Sequence, residues 1–162
     1  MASAHHRKLL AAGAKVADFR LPKLDGGESS LSEIVSSGPA VLAFYKVSCP
    51  VCQLTLPYLE RIQASGKLPV IAISQNDAGD SRDFNRRFGV TMPTLLDREE
   101  SGFAVSNSFG ISSVPTLFVV ETDGAVSRVI EGWQKSEIEK LGAKAGVNPF
   151  RKGESVPDWK AG

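Results

Sequence analysis

The feature that most limits what this chain can fold into is a junction. A continuous apolar run, Ala40-Val-Leu-Ala-Phe-Tyr45, is followed three residues later by Cys49-Pro50-Val51-Cys52 and then by a helical pattern reaching about Gln63. A run without polar alternation fits a strand covered on both faces, the usual condition of a parallel sheet. A C-x-x-C pair directly after such a strand puts the first cysteine at a helix N-terminus. There the unpaired N–H groups and the positive end of the helix dipole favour a thiolate. Pro50 fits the first helical position, where its missing N–H costs nothing. Cys49 therefore reads as the attacking sulfur, and Cys52, one turn inward, as the resolving one.

The rest of the chain repeats the strand–helix alternation. Expected strands cover Phe19–Leu24, Pro69–Ile73, Thr94–Asp97 and Pro115–Val120, with Ala125–Ile130 returning antiparallel after Thr122-Asp-Gly124. The Asp-Gly pair is expected to supply both positive φ angles of that turn. Expected helices follow Ser30-Leu-Ser-Glu33, a capping-box pattern, and cover Ser81–Phe88, Gly102–Phe109 and a last segment capped by Ser136 and reaching Ala145. Pro57 is expected to kink the helix that carries the cysteines. This order predicts an α/β domain: a central mixed sheet with a parallel core and a C-terminal β-hairpin, with helices on both faces. Residues 1–15 read as a lead-in, helical or flexible, residues 16–146 as the domain, and residues 147–162 as a tail without regular structure. Phe150 and Trp159 are the tail's candidates for docking.

Composition narrows the function. The 162 residues carry 19 basic and 18 acidic side chains, so charge gives no reason to expect nucleic acid or an anionic membrane. Arg86-Arg87 reads as a solvated helix face in preference to a binding patch. No apolar run reaches the roughly 20 residues of a membrane span. The N-terminal apolar stretch is short for a secretory leader, so the chain reads as cytoplasmic as written and periplasmic if a leader was removed. With 2 cysteines in all, a disulfide-stapled scaffold is not expected. A structural zinc site needs four ligands, and the only histidines are His5 and His6, so neither metal nor any other cofactor is expected. Two inert buried cysteines remain the bland reading of the motif.

Beside the C-x-x-C, Val114-Pro115-Thr116 precedes a strand. Pro115 cannot donate a ladder hydrogen bond, and a plain strand-start proline explains it as well as a functional one does. Together with Asp18-Phe19-Arg-Leu21, Asp25-Gly26, Ser30-Leu-Ser-Glu33 and Ile73-Ser-Gln75, these motifs resemble the thioredoxin superfamily over about residues 16–146, in its TlpA-like, peroxiredoxin-related (AhpC/TSA-type) branch. The resemblance implies that Pro115 is a cis-proline facing the cysteines, that the Val114 backbone pairs with substrate, and that Gly132 packs near the site. Tyr45 and Ser48 stand where many relatives carry tryptophan, and Ala43 where thioredoxins bury an aspartate. Thr55 stands where some relatives carry glutamate, so the usual proton-handling acids are missing. Lys46 is the nearest charge to the motif; it reads first as a solvated lysine and second as a stabiliser of the Cys49 thiolate.

The function so implied is thiol–disulfide exchange through a Cys49 mixed disulfide. The partners expected are a protein or small-molecule disulfide and a separate dithiol donor. The alternative is a peroxiredoxin-like thiol peroxidase. Against it, Leu42 and Lys46 replace the proline and hydroxyl of the P-x-x-x-[TS]-x-x-C pattern. A copper carrier on the same fold is weaker still, because no histidine follows residue 6.

Overall fold

A computed structural model describes residues 8–162; His5, His6 and the start of the lead-in lie outside the described residues. The central sheet has five strands: β3 (Ala40–Tyr45), β4 (Val70–Ser74), β5 (Thr94–Leu96), β6 (Thr116–Val120) and β7 (Val126–Glu131). Their spatial order is β5-β4-β3-β6-β7. Strands β3, β4 and β5 run parallel, while β6 is antiparallel to β3 and β7 to β6. All six residues of β3 and all five of β4 are buried, which is what their unbroken apolar sequences require. Phe118 packs edge to face on Phe44 and Phe109, which are tilted against each other, and the cluster extends to Phe19.

Several local features differ from the sequence expectation, each for a visible reason. The turn Asp25-Gly26-Gly27 closes a small hairpin of β1 (Arg20–Pro22) and β2 (Glu28–Ser30); Glu-Ser-Ser has no apolar period to announce a strand. Ser30 then caps α1 (Leu31–Ile34) as read, accepting from the Glu33 N–H. After a turn at Ala12–Gly13, residues 14–16 lie along the start of β7, with Gly13 N–H donating to the Val126 carbonyl and Val16 N–H to that of Gly124. No helix forms in residues 8–17.

The helix α3 (Ala78–Phe88) starts three residues before the expected Ser81. Asp77 caps it by accepting from the Asp80 N–H at 2.8 Å. Gly102–Phe109 is not one helix. A 3-10 turn, Glu99–Ser101, is followed by Phe103 at φ 51° and then by α4 (Ala104–Phe109). The turn after β6 is a three-residue loop in which Gly124 alone takes positive φ, with a register shift at Val119/Val120, rather than a two-residue Asp-Gly turn. The cysteine-bearing helix α2 (Pro50–Gln63) continues through Pro57.

The tail departs most from expectation. It forms β9 (Trp159–Lys160), which pairs antiparallel with β8 (Trp133–Gln134). The last helix, α5, spans Lys135–Lys144, and Ser136 does not cap it; the Lys135 N–H is satisfied by the carbonyl of Asp158 in the tail. Phe150 docks on Tyr58 and Trp133, whereas Trp159 is 62% exposed.

Candidate active site

Strand β3 ends at Tyr45, and the backbone turns at Lys46–Ser48 to deliver Cys49 to the N-cap of α2. Two side chains from outside that turn hold it. Asn76 accepts the Val47 N–H at 3.0 Å, and the Gln53 amide donates to the Val47 carbonyl at 3.2 Å. Cys49 is half-buried, with its sulfur accepting the Cys52 N–H at 3.1 Å. Pro50 occupies the first position of the helix, as its fixed φ favours.

The electrostatics separate the two sulfurs. Hydrogen bonding from the Cys52 thiol, and then from the N–H groups of Cys52 and Val51, brings Cys49 down to about 6; the Lys46 charge adds to this. About nine-tenths of Cys49 is then thiolate at neutral pH, against a few per cent for a free cysteine. Burial drives Cys52 strongly upward, so it stays a thiol. Cys49 is the more acidic and more accessible sulfur, and Cys52 the buried thiol.

The loop facing Cys49 is Val114–Pro115, and its peptide bond is cis. The Cys49 sulfur lies 3.3 Å from the Val114 carbonyl oxygen, to which the thiol form donates. As thiolate, Cys49 has no proton to give, and that oxygen is released. The Gly132 N–H donates to the Pro115 carbonyl at 2.8 Å and ties the end of β7 to the same loop.

The remaining sequence candidates lie around this centre. Lys46, Ser48 and Pro50 are exposed on the surface that presents Cys49. Tyr45 is fully buried beneath it. Its hydroxyl donates to Asn85 at 2.8 Å, its ring packs on Phe84, and burial pushes its phenol up to about 12. It supports the turn from below and does not face the surface. Ala43 is buried in β3, and the Thr55 hydroxyl is spent on the Val51 carbonyl, so neither position handles protons for Cys52.

Sequence reading missed Asn76 and Gln53 as props of the 46–48 turn, and Asp97. This fully buried carboxylate accepts from the N–H groups of Val105 and Ser106 and from the Ser106 hydroxyl, capping α4. Their only sequence signal was position: Asn76 in the loop after the strand expected at Pro69–Ile73, Asp97 as the last residue of the strand expected at Thr94–Asp97, and Gln53 on the first turn of α2. A polar hollow of about 440 Å³ lies beside the site, with Lys46, Gln75, Asn76 and Phe103 in its lining. A second, of about 480 Å³ between Lys23, Arg82 and Thr91, includes neither cysteine. Among the described residues no cluster of three or more histidine, cysteine or acidic side chains is placed to hold a metal, and no helix is long and apolar enough to cross a membrane.

Comparison with known proteins agrees with this geometry. The family model described as AhpC/TSA matches residues 12–129. The thiol-disulfide oxidoreductase ResA of Geobacillus kaustophilus is 29% identical over 136 residues, covering 81% of this chain and 76% of that protein. A Chlorobium tepidum protein assigned to DsbE, a thiol:disulfide interchange protein, superposes with a TM-score of 0.73 at 24% identity, over 87% of this chain and 99% of that one. The peroxidoxin BcpB of Mycobacterium tuberculosis superposes with a TM-score of 0.64 at 28% identity, over 83% and 92%. The architecture is the thioredoxin-like fold.

Proposed function

The chain belongs to the AhpC/TSA family, and from that premise we propose that it is a thiol–disulfide oxidoreductase acting through Cys49 and Cys52. The observation that carries the reading is the asymmetry of the pair: a depressed, half-buried Cys49 at a helix N-cap and an elevated, buried Cys52 one turn inward. ResA-type relatives bear the same activity in their names.

The reaction runs in two exchanges. The Cys49 thiolate attacks one sulfur of a substrate disulfide. A Cys49–substrate disulfide forms, and the other substrate sulfur leaves as a thiolate. Once Cys49 is in that bond, it no longer accepts the Cys52 proton or N–H. Cys52 then loses its proton and attacks the Cys49 sulfur, giving the Cys49–Cys52 disulfide and releasing the second substrate thiolate. With Ala43 and Thr55 offering no acid or base, the departing substrate thiolate is the acceptor for the Cys52 proton. Two electrons pass from enzyme to substrate, and a separate dithiol restores the enzyme. Run backwards, the same steps oxidise a dithiol.

The Val114–Pro115 loop and the exposed Lys46, Ser48 and Pro50 form the surface on which the substrate sulfur is received. Pro115 offers no N–H, so the chain is not drawn into a ladder there. The test is trapping. Cys52→Ser incubated with a disulfide substrate accumulates the mixed disulfide at Cys49 as a stable mass adduct. Cys49→Ser accumulates none and has no exchange activity. An adduct at neither cysteine contradicts the reading.

The peroxidoxin similarity supports a second reading, direct reaction of Cys49 with peroxide. Leu42 is a buried residue of β3 and Lys46 carries no hydroxyl, so the proline and hydroxyl that would activate peroxide are missing. Peroxide consumption is therefore expected to be slow beside disulfide exchange. Fast consumption with little exchange reverses the order of the two readings.

A further inference from the structure

Residues 157–162 run from β8 to the active-site loop, which Gly162 reaches at Val114. The Trp133 indole N–H donates to the Pro157 carbonyl at 2.6 Å, and the α5 N-terminus donates to that of Asp158. Beyond these anchors, Trp159 and Lys160 pair with β8. The segment then passes over Gly132 so closely that a Cβ there would stand 2.4 Å from the Lys160 carbonyl oxygen and 3.0 Å from the Gly162 nitrogen. A Cβ on Gly162 would stand 2.4 Å from the Val114 carbonyl oxygen and 3.3 Å from the Pro115 nitrogen. Gly162 and the Cys49 sulfur are thus neighbours of one carbonyl oxygen.

A mixed disulfide fixes where a substrate chain can run. The two cysteine Cα atoms across a disulfide are about 5.5 Å apart, so the main chain of a polypeptide substrate bonded to Cys49 crosses beside Val114. Gly162, at the end of the segment that passes over Gly132, already fills part of that space. A small disulfide needs only the half-buried sulfur and leaves the segment where it is.

We propose that residues 159–162 set substrate preference by occupying the polypeptide path along Val114, so that small disulfides react with the segment in place and an extended polypeptide disulfide must first lift it. This rests on the exchange reading above and adds to it the class of substrate favoured. Lifting is local. It breaks the two-residue pairing with β8, while the Pro157 and Asp158 carbonyls and the Arg61–Glu154 pair further back hold the rest of the tail.

The experiment compares the full chain with a version ending at Asp158, which keeps all of those anchors. Each reduced protein is reacted with oxidised glutathione and with a 20-residue peptide carrying one disulfide, and thermal unfolding is recorded alongside. Removal of residues 159–162 is expected to raise the peptide rate by about tenfold, the scale of one or two net backbone hydrogen bonds, with the glutathione rate unchanged within about twofold. Gly162→Val retains the whole chain but puts a side chain against the Val114 carbonyl; it is expected to displace the segment and move the ratio the same way. A peptide-to-glutathione ratio that stays constant or falls in both variants overturns the proposal. If glutathione fails to react with the full chain, the exchange reading itself has failed, a result the peptide arm alone would not distinguish.

Discussion

At the scale of single residues, the account turns on Cys49. Its thiolate is held by a thiol, two backbone N–H groups and, more weakly, the Lys46 ammonium. Its alkylation by iodoacetamide should therefore rise with pH about a midpoint near 6 and level off above it, since the reactive form is the deprotonated one. Lys46→Gln should move that midpoint up by a fraction of a unit, because an exposed charge is screened by water. A midpoint near 8.5 would mean that the N-cap does not act on the sulfur. The two cysteines were legible in the sequence because their chemistry is local, a spacing at a helix start; Pro115 was legible only as a proline before a strand, and its place facing the cysteines came from the family resemblance. Asn76, Gln53 and Asp97 were not legible. Asn76 acts through a hydrogen bond to a segment distant in sequence, Gln53 through one that reaches back to the Val47 carbonyl before its own helix, and Asp97 at a helix start that the pattern did not reveal.

At the scale of elements, the strands of the parallel core were legible because burial on both faces leaves an unbroken apolar signature. The pieces that failed to announce themselves are stabilised by partners elsewhere. Strand β9 is two residues long and has no period. The α5 N-terminus dispenses with a side-chain cap because the Asp158 carbonyl supplies one. The start of α4 is similar, with Asp97 standing in from the end of β5. Asp97→Ala should destabilise the protein by about 2 kcal/mol, the upper range for loss of a helix cap that leaves N–H groups buried; urea unfolding measures it.

The tail has its own electrostatic anchor. The Arg61 guanidinium grips both Glu154 oxygens, at 2.7 and 2.8 Å, and also donates to the Pro149 carbonyl. Pairing with Arg61 brings Glu154 down to about 2. A carboxylate whose folded value is depressed contributes stability above its unfolded value, near 4.3, and loses it as pH falls through the folded one. Hydrogen exchange of residues 149–162 should thus quicken, relative to the sheet, between about pH 4 and pH 2. Glu154→Gln should show that faster exchange at neutral pH.

At the scale of the whole molecule, the sheet and α2 exist, for function, to hold one reactive sulfur at a surface and one protected sulfur behind it. The central strand β3 ends at Tyr45, whose buried hydroxyl network through Asn85 and Thr94 lies beneath the site. The cis-proline loop is brought opposite by β6 and tied to the end of β7 through Gly132. The tail, read in the sequence as a segment without regular structure, pairs with β8 and reaches Val114 at Gly162. The central claim is that this arrangement makes Cys49 and Cys52 a reversible two-electron couple. It is tested most directly by equilibrating the protein in glutathione redox buffers and counting free thiols by alkylation and mass. The account predicts a single two-electron transition. Its potential should lie between those of a strong reductant near −270 mV and a strong oxidant near −120 mV. A pair that forms no intramolecular disulfide in any buffer would contradict it.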